Sequence, residues 1–144
     1  MRTLRAVTAG LLLALLHSGG AACTGSDGKA SVSPSPSLDV APGAYVYRAK
    51  GIEATFELSG GSGTLSIFNG TGFPFDDPGV YLLDARDGSR VDAEVIDTAP
   101  VPDGRTRSFE VTIPDAPRAK HVGLIVLLAG EADLGAFFPA KDQA

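Results

Sequence analysis

The sequence predicts an all-β domain, an antiparallel sandwich of two sheets with about seven to eight short strands. Apolar and polar residues alternate along several short segments, turn signals rich in Gly, Pro and Asp separate those segments, and no stretch has the period of a capped helix. The strands fall within residues 44–144, about 100 residues, which suits one domain and leaves little room for a second. A small barrel is the alternative arrangement.

Three segments alternate cleanly, which is typical of strands with one buried face and one face in solvent. The residues on their predicted buried faces are Phe56 and Leu58 in ATFEL, Val91, Ala93 and Val95 in RVDAEV, and Phe109, Val111 and Ile113 in SFEVTI. The other predicted strands are YVYRA, TLSIF, VYLLD, VGLIVLL and GAFF.

Two pairings follow from these segments. Residues 122–128 are apolar on both faces, so we expect a central strand there, paired with the final strand at residues 136–138. Asp87 and Gly88 are expected to close a hairpin between VYLLDA and RVDAEV, because glycine accepts a positive φ.

In general architecture this series of strands resembles the immunoglobulin-like and fibronectin-like sandwiches. The cysteine pair and the buried tryptophan of antibody domains are missing, because residues 44–144 contain neither residue type. The resemblance therefore implies a fold held together by aliphatic and Phe packing, and it implies no particular function.

The N-terminus predicts export. Arg2 and Arg5 precede an apolar run at residues 6–16, which is shorter than the roughly 20 residues that a membrane-spanning helix needs. Residues 1–22 are therefore predicted to be a signal peptide that ends in small residues before Cys23, the only cysteine. Residues 23–43 are rich in Ser, Pro and Gly and poor in large apolar residues, which predicts a flexible linker.

This arrangement resembles a bacterial lipoprotein precursor, in which the cysteine after the cleavage site receives a diacylglyceryl group. The resemblance implies acyl chains on Cys23, attachment to the cell membrane and an extracytoplasmic location, since two or more acyl chains make a durable anchor. Gly20 stands where such signals usually have a larger aliphatic residue, and residues 20–22 also suit ordinary signal peptidase. Simple secretion with a free N-terminal cysteine is the alternative.

The charge of the mature chain argues against nucleic acid as a partner. Two of the twelve Lys and Arg residues precede Cys23 and all seventeen Asp and Glu residues follow it, which leaves a net charge of −7. Such a surface repels phosphate backbones and anionic headgroups, so any attachment to the membrane is assigned to the acyl anchor.

The sequence predicts no catalytic residue, no cofactor and no metal site. His121 is the only histidine after the leader, and the segment GGSGT at residues 60–64 lacks the final glycine of a nucleophile elbow. Two pairs of carboxylates could hold calcium, but Asp is common in turns because it bonds to nearby backbone groups. These pairs are Asp76 with Asp77 and Asp84 with Asp87.

The composition of one loop, residues 70–79, predicts a contact patch for a protein or cell-wall ligand. Aromatic rings and carboxylates lie there between Pro and Gly residues. Two tyrosines that share a strand face would extend the patch. The residues of this predicted patch are Phe73, Phe75, Asp76, Asp77, Tyr45 and Tyr47. The competing interpretation, which we favour, is that the two phenylalanines pack into the open end of the sandwich.

These observations favour an exported, lipid-anchored envelope protein whose β-sandwich binds a partner or contributes structure without catalysis. One alternative is a small extracytoplasmic hydrolase that uses carboxylates, for example Asp76 or Asp77 with a distant Glu. The other alternative is a secreted, soluble binding protein.

Overall fold

The computed structural model describes residues 38–143, which form ten strands and two short 3-10 helices. The predicted signal peptide, Cys23 and the linker up to residue 37 lie outside the described residues. The strands are β1 (Tyr45–Ala49), β2 (Ile52–Ser59), β3 (Ser62–Asn69), β4 (Pro78–Asp84), β5 (Arg90–Asp92), β6 (Glu94–Val95), β7 (Arg105–Thr112), β8 (Val122–Ala129), β9 (Ala132–Ala136) and β10 (Phe138–Pro139). The 3-10 helices are Ala119–His121 and Ala140–Gln143.

The strands form a two-sheet antiparallel sandwich, which confirms the predicted fold class. One sheet has the order β10-β1-β2-β3-β7-β6 and the other has the order β5-β4-β8-β9. Strands β2-β3-β7-β6 follow the A-B-E-D order of the immunoglobulin-like fold, and β5-β4-β8-β9 follow the order C′-C-F-G. Strands β1 and β10 extend the first sheet beyond the strand that corresponds to A.

Side chains from the inner faces of both sheets form the core. The alternation in SFEVTI is confirmed, because Phe109, Val111 and Ile113 are buried while the residues between them are exposed. Three aromatic rings meet in this core: the ring of Phe137 lies 6.0 Å from that of Tyr47 and 6.2 Å from that of Phe56. Tilted ring pairs at such distances contribute beyond the apolar area that they bury.

Gly63 lets strands β2 and β3 approach closely. A Cβ atom at this position would lie 2.7 Å from the carbonyl oxygen of Glu57 and 2.8 Å from Cζ of Phe56. Only a residue without a side chain fits there, because those distances are shorter than any ordinary carbon contact. The glycines of the segment GGSGT therefore serve the turn and the close packing of the sheet.

The segment RVDAEV differs from its prediction as one strand. Its alternation is correct, since Val91, Ala93 and Val95 are the less exposed residues, but β5 lies in the four-stranded sheet and β6 in the six-stranded sheet. The chain passes from one sheet to the other at Ala93. Alternation in the sequence indicates which side chains face the core. It does not indicate which sheet they belong to, because a chain that crosses from one sheet to the other keeps the same alternation.

The predicted central position of residues 122–128 is confirmed, because β8 lies between β4 and β9. The final strand is divided. Strand β9 pairs with β8 as far as Ala136, whereas Phe138 and Pro139 pair with Val46 and Tyr45 of β1 in the other sheet. The predicted hairpin at Asp87 and Gly88 is present between β4 and β5, with Gly88 at φ 73°.

The connections gather at the two ends of the sandwich. At one end, which we call the Asn69 end, lie the turn at residues 50–51, the loop at 70–77, the connection at 96–104 and the turn at 130–131. Backbone hydrogen bonds link them, from Gly70 N to Gly51 O and from Gly130 N to Asp77 O, both 2.8 Å. The turn at 60–61, the hairpin turn at 85–89 and the connection at 113–121 lie at the opposite end.

Candidate functional site

Asn69 is a buried polar side chain at the end of a strand. It is the last residue of β3 and follows Leu65 and Ile67 on the inward face, with none of its surface exposed. A buried amide without hydrogen-bond partners would be strongly destabilising, so its partners define its role.

The amide of Asn69 uses its full hydrogen-bonding capacity. Its Nδ2 donates to the carbonyl oxygens of Phe73 (2.7 Å) and Val101 (2.9 Å). Its Oδ1 accepts from the backbone N–H of Thr71 (3.1 Å) and from the Thr71 hydroxyl (2.8 Å). One side chain therefore holds both the 70–77 loop and the 96–104 connection.

Further bonds join the same two segments. Phe75 and Val101 exchange both backbone N–H···O bonds at 2.9 Å, and the Asp103 carboxylate accepts from the N–H of Gly72 at 2.8 Å. Gly104 N donates to the carbonyl oxygen of Asn69 at 2.6 Å. Hydrogen bonds therefore fix the chain from Asn69 to Phe75 to the 96–104 connection.

The loop presents one phenylalanine and buries the other. The side chain of Phe73 is 74 % exposed, whereas Phe75 lies in the core and is 7 % exposed. Asp76 and Asp77 follow on the surface. Phe75 therefore packs into the core, as the competing interpretation expected of both phenylalanines. Phe73 does not, so it remains, with the two carboxylates, a candidate contact residue.

Tyr45 and Tyr47 do share a strand face, and that face points into the core. Tyr47 is buried and donates its hydroxyl to the carbonyl oxygen of Leu134 at 3.4 Å. Tyr45 is partly buried against the same core. Neither tyrosine extends the exposed surface around Phe73.

A second cluster lies on the outer face of the four-stranded sheet. The hydroxyl of Tyr81 donates to the Asp133 carboxylate at 3.2 Å, and the guanidinium carbon of Arg90 lies 4.1 Å from the centre of the Tyr81 ring. Arg90 also donates to Asp92 at 2.6 Å. Burial and the bond to Asp133 raise the pKa of Tyr81. These contacts tie β5, β4 and β9 together across the sheet.

The carboxylates at the β4–β5 turn bond to their own turn. Asp84 is 4 % exposed and accepts hydrogen bonds from the backbone N–H and the guanidinium of Arg86. Asp87 accepts from the N–H of Ser89 at 2.9 Å. Side-chain bonds from Arg86 lower the pKa of Asp84 to about 2, and the backbone bond from Ser89 lowers the pKa of Asp87.

Replacement of Asp84 by asparagine is expected to lower stability at neutral pH and to have little effect in strong acid. The pKa of Asp84 is lower in the folded state, so its ionised form stabilises the fold above about pH 4, and this contribution is lost as the pH falls towards 2. Thermal unfolding of both proteins between pH 7 and pH 2 measures the difference. The exposed Asp115→Asn substitution is the control, and a difference that is constant with pH would contradict the assignment.

Across residues 38–143, no group of three or more His, Cys, Asp or Glu side chains is placed to hold a metal ion. His121 lies at the end of a 3-10 helix, where its carbonyl oxygen accepts from the N–H of Ala85 at 2.7 Å.

Two glutamates flank a cleft on the outer face of the six-stranded sheet. Glu57 and Glu110 lie on either side of Thr64 in the strand register, and with Ile96 they line a space of about 390 Å³. Both glutamates are exposed. Catalytic carboxylates usually lie in sites that exclude water, so this open face is a weak candidate for acid–base chemistry.

No protein-family model matches this chain, and neither a curated protein nor a solved structure is significantly similar to it. Within residues 38–143, none of the helices has the length and apolar character needed to cross a membrane.

Asn69 is the site residue that the sequence pattern did not single out. The sequence shows it only as part of a formal glycosylation sequon, Asn69-Gly70-Thr71. The available signal was its place in β3: with Leu65 and Ile67 on the inward face, the same alternation directs Asn69 inward. A polar residue at an inward position beside a Gly-rich loop indicates a side chain that orders the loop.

Proposed function

We propose that this chain is an exported bacterial envelope protein, anchored by acyl chains on Cys23, and that its β-sandwich is a non-catalytic binding module. The observation that carries the binding role is Phe73, an exposed aromatic side chain on a loop that Asn69 holds in place. The anchoring role rests on the leader, the position of Cys23 and the linker that follows it.

A fixed loop with an exposed aromatic ring suits binding for a thermodynamic reason. A phenylalanine in water gains free energy when a partner covers its apolar surface. Because hydrogen bonds already order the 70–77 loop, binding costs little additional conformational entropy. Aromatic side chains on ordered surfaces therefore often dominate the free energy of binding.

The surroundings of Phe73 indicate the chemistry of a partner. The loop carries Asp76 and Asp77 and no basic residue, and the mature chain has a net charge of −7. A protein or cell-wall component with an apolar pocket and a basic border fits this surface, whereas nucleic acid does not. If ordinary signal peptidase releases the chain, the same module acts as a secreted binding protein.

A photo-crosslinking phenylalanine derivative in place of Phe73 is expected to form a discrete adduct when intact cells are irradiated. The same derivative at Phe138, whose side chain is 58 % exposed, is the matched control and is expected to form none. Denaturing electrophoresis and mass spectrometry identify the adduct. Absence of an adduct at position 73, or the same adducts at both positions, would contradict the binding role of the loop.

A further inference from the structure

A cleft with mostly apolar side chains, whose lining surface is nevertheless polar and apolar in equal parts, lies at the end of the sandwich opposite to Phe73. It has a volume of about 330 Å³, and the turn at residues 60–61 forms part of its wall. Its side chains are Leu58, Pro114, Ala116, Pro117, Arg118 and Ala119. All of these side chains except Arg118 are apolar, and the space is large enough for one aromatic ring.

The strand register places Phe73 and this cleft at opposite ends of the molecule. Strand β3 runs from Ser62, next to the turn of the cleft, to Asn69, next to the Phe73 loop. Its eight residues span about 23 Å at roughly 3.3 Å per residue. One molecule therefore cannot fill its own cleft with its own Phe73.

The charges near the two ends are also complementary. Asp76 and Asp77 follow Phe73, while Arg118 lines the cleft and Lys120 lies next to it in the Ala119–His121 helix. Lys50 and Arg105 lie at the Asn69 end, and Asp87 and Asp115 lie at the cleft end. These charges reduce the contrast, so charge contributes to the orientation of the contact and does not by itself determine it.

We propose that the partner of Phe73 is a second copy of this chain, with Phe73 of one copy inserted into the cleft of the next. This inference rests on the proposed binding role of the loop and names its partner. The two surfaces differ, so the contact is head-to-tail and extends into short chains of molecules instead of closing as a symmetric dimer.

The association is weak in solution. One buried aromatic side chain contributes about 150–250 Å², and stable interfaces bury 1,200 Å² or more, so we expect a dissociation constant of about 0.1–1 mM. Copies confined to one membrane surface by the proposed anchor would have a much higher effective concentration.

The test uses the mature chain with Cys23→Ala, so that acyl chains play no part. Its average mass in sedimentation equilibrium is expected to rise between about 10 μM and 1 mM. Phe73→Ser removes the ring, and Ala119→Glu places a carboxylate at the exposed edge of the cleft; each variant alone is expected to stay monomeric. The matched control, Phe138→Ser, is expected to associate like the parent.

Mixing the two monomeric variants distinguishes this contact from other modes of association. Ala119→Glu keeps its Phe73 and Phe73→Ser keeps its cleft, so one intact contact remains and the mixture is expected to form dimers and nothing larger. Recovery of that dimer also shows that both variants fold. A monomeric parent, association that survives Phe73→Ser, or a mixture that stays monomeric would overturn self-association.

The crosslink at position 73 separates this inference from the binding role itself. An adduct of twice the mass of the chain supports both. An adduct with a different molecule supports the binding role and overturns the second copy as its partner.

Discussion

Replacement of Asn69 by leucine is expected to lower the melting temperature of the domain by about 10–20 °C. Leucine has nearly the same shape but makes none of the four side-chain hydrogen bonds, which leaves the carbonyl oxygens of Phe73 and Val101 and the N–H of Thr71 without this partner. Both carbonyl oxygens keep a second donor, the N–H of Phe75 for Val101 and the hydroxyl of Thr71 for Phe73, so the cost is that of the four lost bonds at about 0.5–1.5 kcal/mol each. Because loop groups can turn towards water, we expect a total loss of about 2–4 kcal/mol.

Asn69→Leu should also make the 70–77 loop more mobile. Limited proteolysis is expected to cut Asn69→Leu within residues 70–77 under conditions that leave the parent intact, since the loop loses its link to the 96–104 connection. Thr71→Val is the graded comparison: it removes one of the four bonds of Asn69, and we expect a smaller loss of about 0.5–1.5 kcal/mol. Equal melting temperatures for Asn69→Leu and the parent would show that Asn69 does not hold the loop.

Replacement of Cys23 by alanine is expected to move the protein from the membrane fraction to the soluble fraction or the medium. Each buried methylene of an acyl chain contributes about 0.8 kcal/mol, so loss of two or more chains removes essentially all attachment. Fractionation of cells that express the parent and the variant measures this, and mass spectrometry of the mature N-terminus identifies the acyl groups.

Thr24→Ala is the control for this experiment, because it changes the neighbouring residue and keeps the thiol. It is expected to fractionate like the parent. Membrane association that persists in Cys23→Ala would contradict lipid anchoring. A parent protein that is already soluble would instead favour cleavage by ordinary signal peptidase at residues 20–22.

The two substitutions test different parts of the proposal. Asn69→Leu acts on the domain and should leave the fractionation unchanged, whereas Cys23→Ala acts outside the domain and should leave its melting temperature unchanged. If both results hold, the stability of the module and its attachment to the membrane are independent of each other.

The sequence alone was sufficient for the fold class and for the faces of most strands. The period of two in SFEVTI determines that Phe109 and Val111 lie on one face, because alternate side chains point to opposite sides of any strand. The hairpin at Asp87 and Gly88 was equally predictable, since a residue that accepts positive φ is a local requirement of the turn. Both features are determined by residues that are close together in the sequence.

The tertiary structure alone decided which sheet each half of RVDAEV joins, which phenylalanine of the loop is exposed, and what Asn69 contacts. Asn69 bonds to Val101, 32 residues away in the sequence, and the backbone pairing of Phe75 with Val101 buries Phe75 and leaves Phe73 outside. Alternation cannot show these contacts, because they arise only when two distant segments meet at the same end of the sandwich. The packing of those segments therefore makes Phe73, and not Phe75, the contact residue that we propose.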